Sequence, residues 1–113
     1  MVFEVINNPH YSPKMGFTKA QFRTLDDLYC RAVEKKMLSY RTVECDFEEG
    51  YASYTYYKSE YHAPLFRFMI RKIGPKTLQY EVYKQGVGLL IKSSLFDRAF
   101  EKLQGALETS LEI

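Results

Sequence analysis

From Val43 to Tyr83 the chain alternates apolar and polar residues with a period of two, in four runs separated by turn formers. A period of two places successive side chains on opposite faces of a strand, so these runs can pair into a half-buried antiparallel sheet but cannot form amphipathic helices. Val43, Cys45 and Phe47 alternate with Thr42, Glu44, Asp46 and Glu48, and Glu49-Gly50 then supplies a permissive turn into the string YASYTYY. A two-residue turn there opposes Phe47 to Ala52, Cys45 to Tyr54 and Val43 to Tyr56. The next pair of runs is joined at Gly74-Pro75-Lys76. Phe66, Phe68 and Ile70 alternate with Arg67, Met69 and Arg71, and Leu78, Tyr80 and Val82 alternate with Gln79, Glu81 and Tyr83. Pairing Phe68 with Val82 and Ile70 with Tyr80 keeps one apolar face and sets Arg67 opposite Tyr83.

Two segments carry a helical period instead. Phe22, Leu25, Tyr29, Ala32, Val33 and Met37 recur at three and four, which predicts a helix from Thr18 to about Leu38. Thr18 and Gln21 form a capping box, with Phe17 placed to staple against Phe22. Ser93 or Ser94 caps a second helix, whose stripe is Phe96, Ala99, Phe100, Leu103, Leu107 and Leu111. Gly105 inside it signals either a close approach or a weak point. Phe3 and Val5 predict a short first strand over residues 2–6, ended by Asn7, Asn8 and Pro9. Val87 to Ile91, bracketed by Gly86 and Gly88, reads equally as bulge, edge strand or connector.

The expected order is β-α-β-β-β-β-α: an α+β two-layer sandwich with a four- to five-stranded antiparallel sheet and two helices on one face. Its 113 residues suit a single domain. The composition, 46% hydrophobic and 27% charged, is that of an ordinary folded chain.

Several function classes lack their signatures. A formal charge of +2, with acids and bases interleaved, lacks the electrostatic footprint of a duplex binder. Cys30 and Cys45 form no CxxC pair or zinc spacing, and neither has the electropositive setting of a reactive thiolate. His10 and His62 stand beside alanine or proline in loops without further ligands. Glu44, Asp46, Glu48 and Glu49 read as a solvent face and hairpin tip, and the calcium-loop pattern is missing. The GVG at Gly86 is too short for a dinucleotide fingerprint and suits a turn. No metal, cofactor or catalytic group is therefore expected. No apolar run reaches the roughly 20 residues of a membrane helix, and MVFEVINN lacks the regions of a secretory signal. A cytoplasmic location with no membrane partner is expected.

Arg31, Lys35, Lys36 and Arg41 gather positive charge near the end of the first helix, where the helix dipole favours it. A weak anion site is the functional reading of that group.

The alternation also sorts the tyrosines. Five of the ten lie in the eleven residues from Tyr51 to Tyr61, and there is no tryptophan. Tyr54, Tyr56 and Tyr80 share the apolar face, whereas Tyr51, Tyr57 and Tyr83 point to the other side with Thr42, Glu44, Asp46, Ser53, Thr55, Arg67, Met69, Arg71 and Glu81. Tyrosine, arginine and methionine are enriched at protein interfaces. The expectation is a non-catalytic interaction module, a small regulator or adaptor. It would bind a protein partner or a second copy of itself through Tyr57, Arg67, Met69, Arg71 and Tyr83, or through an edge strand. Single-stranded nucleic acid stacked on the same rings is the alternative. A ligand or enzymatic pocket between helices and sheet, lined by Tyr54, Tyr56, Phe68 and Tyr80, is the third.

Overall fold

The computed structural model describes residues 17–46, 48–75 and 77–111. They run as helix α1 (Lys19–Glu34), strands β1 (Tyr40–Asp46), β2 (Tyr51–Tyr57), β3 (Phe66–Lys72), β4 (Leu78–Lys84) and β5 (Gly88–Ser93), and helix α2 (Phe96–Leu111). The strands form one antiparallel sheet in chain order, and both helices pack on the same face of it. The fold is α+β, as the alternation requires. The strand expected over residues 2–6 and its loop lie outside the described residues.

Helix α1 opens on the expected capping box. Thr18 Oγ1 accepts from the Gln21 amide and Gln21 Oε1 accepts from the Thr18 amide, both at 3.0 Å. Phe17 is buried with its ring 6.1 Å from that of Phe68 in the sheet. The buried stripe is Leu25, Leu28 and Ala32, rotated slightly from the expected one, so that Leu28 is inside and Val33 exposed. The helix also ends earlier than its period implied. Lys36 turns to φ 62, and the Lys36 and Met37 amides bond the carbonyls of Val33 and Ala32 at 2.9 Å. This two-bond closure satisfies the last carbonyls and turns the chain, returning Leu38 to the core as a separate anchor.

Strands β3 and β4 pair as the sequence predicts: Phe68 with Val82, Ile70 with Tyr80 and Arg67 with Tyr83. The β1–β2 pairing differs. Cys45 opposes Ala52, Val43 opposes Tyr54 and Arg41 opposes Tyr56, an offset of two residues from the two-residue turn. The cause is a four-residue connection over 47–50. Asp46 accepts from the Gly50 amide with its carbonyl and from the Glu49 amide with Oδ1, both at 2.9 Å, while Gly50 takes φ 72. An even offset keeps every side chain on its face but changes its neighbours.

The 87–91 segment is an edge strand with an irregularity. Val82 pairs with Ile91 but Tyr83 with Leu89, which leaves Leu90 as the extra residue of a bulge. Gly86 at φ 80 and Gly88 at φ 96 make the turn into it, a conformation that a side chain would strain. Gly105 has open space around it, so no close approach explains that glycine.

The core lies between the helices and the inner sheet face. Tyr54, Tyr56 and Phe68 are fully buried and Tyr80 nearly so. The Tyr54 and Tyr56 rings lie 4.9 Å apart, tilted at 41°, and Phe96 of α2 sits 5.3 Å from Phe68 and 5.6 Å from Tyr80. The four rings suggested as walls of a pocket thus pack on one another and on the helices.

Arg41 is a correction to the sequence reading. It does not join Arg31, Lys35 and Lys36 at the helix end but points into the inner face, 5% exposed, with Nε 2.9 Å from Asp26 Oδ1. Its guanidinium carbon lies 5.3 Å from the Tyr29 ring centre, 5.5 Å from Tyr54 and 6.0 Å from Phe22. Alternation puts residue 41 on the face of Val43, and the register offset sets it opposite Tyr56. Tyr54 donates to the same Asp26 oxygen at 2.7 Å, and Tyr56 to the Leu25 carbonyl at 2.9 Å. Burial pushes both phenols far above the ordinary tyrosine range.

Candidate interaction face

The outer sheet face is organised in three cross-strand rows. Thr42, Thr55, Arg67, Tyr83 and Leu89 form the first, and Glu44, Ser53, Met69, Glu81 and Lys92 the second. Asp46, Tyr51, Arg71 and Gln79 form the third. A solvated face would expose its middle. Here Ser53, Thr55, Met69 and Glu81 are all buried, although they are on the side away from the helices.

The burial of Glu81, 3% exposed, is the feature that sequence reasoning missed. Its carboxylate is closed by three donors: Tyr83 Oη at 2.6 Å on Oε1, Gln79 Nε2 at 2.7 Å on Oε2, and Arg71 Nε 3.5 Å from Oε2. Burial alone would raise the Glu81 pKa. The hydrogen bonds from Tyr83, Gln79 and Arg71 outweigh it and hold the group below the usual glutamate range. The same bond to Glu81, with burial, pushes the Tyr83 phenol up. The only sequence signal was the i, i+2 spacing of Gln79, Glu81 and Tyr83 on one strand face.

Arg71 is committed to this network. Its Nη2 also lies 3.0 Å from Met69 Sδ, and its guanidinium carbon 5.9 Å from the Tyr51 ring centre. Arg67 is not so placed. Arg67 has Thr55 and Tyr83 as its cross-strand neighbours and makes no ion pair among the described residues. Its Nε is buried without a hydrogen-bond partner, as is Ser53 Oγ.

An open groove of about 400 Å³ lies beside it, walled by residues 63–67 and 83–85 and reaching Met69 and Arg71. Four of the five expected recognition residues, Arg67, Met69, Arg71 and Tyr83, line it. Tyr57 does not. Its ring meets Tyr40 edge-on at 5.2 Å and its hydroxyl is 3.4 Å from Thr42 Oγ1, toward the β1 edge. One wall is fixed by backbone, because the Leu65 amide donates to the Tyr56 carbonyl at 2.8 Å and the Leu65 carbonyl accepts from the Gln85 amide at 2.9 Å. That holds the loop after β2 to the end of β4.

The remaining polar candidates are scattered. His62 is exposed, with Nδ1 2.7 Å from Ser59 Oγ, and His10 lies outside the described residues. Burial raises the pKa of both Cys30 and Cys45, with Asp26 adding to the first and Asp46 to the second, so both remain thiols at neutral pH. Among the described residues no three His, Cys, Asp or Glu side chains gather as a metal site. Nor is any described helix long and apolar enough to cross a membrane. Scans against models of protein families and searches of curated proteins and of solved structures find no match to this chain.

Proposed function

We propose that this chain is a non-catalytic interaction module, a regulator or adaptor, that binds a protein partner or a second copy of itself on the outer face of β3, β4 and β5. The observation that carries the reading is the first row, where Arg67, with its unpartnered buried Nε, lies opposite Tyr83 and both line a backbone-braced groove. Leu89, 46% exposed, extends the row at the β5 edge. Orphaned buried donors cost about 1–3 kcal/mol each, a cost that a bound acceptor removes. A pre-braced wall lowers the ordering cost of binding.

Stacking of nucleic acid on the same rings has less support. Tyr57 leans on Tyr40, Tyr51 lies near Arg71, and Tyr83 is tethered to Glu81, so the rings do not form one open platform. Glu44 and Asp46 on the β1 side would repel phosphates.

The test is a double variant, Arg67→Met with Leu89→Ser, which leaves the Glu81 network intact. Partner recovery from the native lysate and solution mass should both be compared with the parent chain. Loss of the same partner or dimer at an unchanged melting temperature supports the reading. A chain that is monomeric and recovers nothing, before or after substitution, refutes it. Steeply salt-dependent binding of a mixed-sequence single-stranded oligonucleotide would favour the alternative.

A further inference from the structure

We propose that the groove beside Arg67 receives the carboxylate of an aspartate or glutamate carried on an acidic, otherwise apolar segment of a partner protein. This deepens the interaction reading above and rests on it. Three observations choose the chemistry.

The first is the donor. Arg67 Nε is buried and unpartnered, and a guanidinium presents two parallel N–H groups that match the two oxygens of a carboxylate. The second is the charge of the lining. Among the described residues, Arg67, Arg71 and Lys84 border the groove and no acid does. Arg71 is already matched by Glu81, and Lys84 lies with Nζ 5.9 Å from the Phe66 ring centre. Arg67 and Lys84 are therefore the lining cations without an ion pair among the described residues, and of the two only Arg67 offers a fork that a carboxylate can meet with both oxygens. The third is the wall. Ala63, Pro64, Leu65 and Met69 are apolar and suit the aliphatic neighbours of an acidic residue in a peptide better than the hydrated backbone of a polyanion. Glu44 and Asp46 on the same sheet face also disfavour a phosphate chain.

The direct probe is the Arg67 Nε–Hε resonance of the ¹⁵N-labelled chain, titrated with acetyl-Leu-Glu-Leu-amide and, separately, with acetyl-Leu-Gln-Leu-amide. The glutamate peptide should shift that resonance saturably, and the glutamine peptide should bind about tenfold more weakly, the difference expected between a charged and a neutral acceptor. The Arg67→Met chain should lose the matching shift at the Met69 methyl. Equal shifts from both peptides, or none from either at millimolar concentration, overturn the carboxylate assignment. So does a thymidine decamer that shifts the resonance more strongly than the glutamate peptide. If the peptides fail while the Arg67→Met, Leu89→Ser variant still loses its partner, the carboxylate is wrong and the interaction reading survives. If that variant keeps its partner as well, both fall.

Discussion

Two arginines on the same sheet have opposite situations. Arg41 on β1 points to the helices and is enclosed by Asp26 and the rings of Phe22, Tyr29 and Tyr54. Arg67 on β3 points away from them, half-buried beside a groove, with a buried Nε that nothing in the described chain accepts from. A charge is stabilising inside a protein when desolvation is offset by a paired carboxylate and further hydrogen bonds. Arg41 has the paired carboxylate, with three aromatic rings around it, and belongs to the fold. Arg67 has no carboxylate paired with it among the described residues, which is why it is the residue to connect with a partner.

Glu81 sharpens the contrast, because it shows that the outer face can satisfy a buried charge when the fold needs it to. Three donors converge on that carboxylate within two strands. The outer face therefore has two parts. One, around Glu81, is a closed polar network; the other, around Arg67, is open.

Removing Arg41 should have the largest effect. Arg41→Ala leaves Asp26 without its cation and opens space among three rings, and should lower unfolding free energy by about 3 kcal/mol in urea titrations. A loss below about 1 kcal/mol would place Arg41 among ordinary surface charges. Glu81→Gln should cost about 2 kcal/mol at neutral pH, since three donors then face a neutral amide with one acceptor. Its pH dependence carries a definite sign. The folded Glu81 pKa is depressed, so its stabilisation is present above the unfolded value of about 4.3 and is lost as pH falls through the lower folded value. Unfolding free energy measured from pH 6 down to 3 should fall less steeply in Glu81→Gln than in the parent. Tyr54→Phe removes one of the two partners of the Asp26 oxygen and leaves Arg41 in place, so it should cost about 1.5 kcal/mol in the same titration.

Most of the fold was legible because hydrophobic alternation and turn residues agree along β3 and β4. Gly74-Pro75 and the apolar series Phe68, Ile70, Tyr80 and Val82 admit one register. The β1–β2 register was not legible to the same depth. The two candidate pairings differ by an even number of residues and bury the same faces, so only the side-chain cap from Asp46 to Glu49 distinguishes them. Arg41 followed from that: it breaks the apolar pattern of β1, and nothing local announces that Asp26, fifteen residues earlier on a helix, will meet it. On the outer face, alternation assigned Tyr83, Met69, Arg67 and Arg71 to one side. It could not say which arginine a neighbour would neutralise, because that depends on Glu81 turning toward Arg71 rather than Arg67. The edge strand over 88–93 escaped a definite reading for a related reason, since its bulge breaks the alternation at Leu90.

The smallest expected change is also the most direct test of the division between the two arginines. Arg67→Met keeps the aliphatic stem and removes the orphaned donor, so urea unfolding should give a free energy equal to the parent's or higher by up to about 1 kcal/mol. A loss of more than about 1 kcal/mol would mean that Arg67 holds the fold together as Arg41 does, and would remove the reason to assign it to a partner.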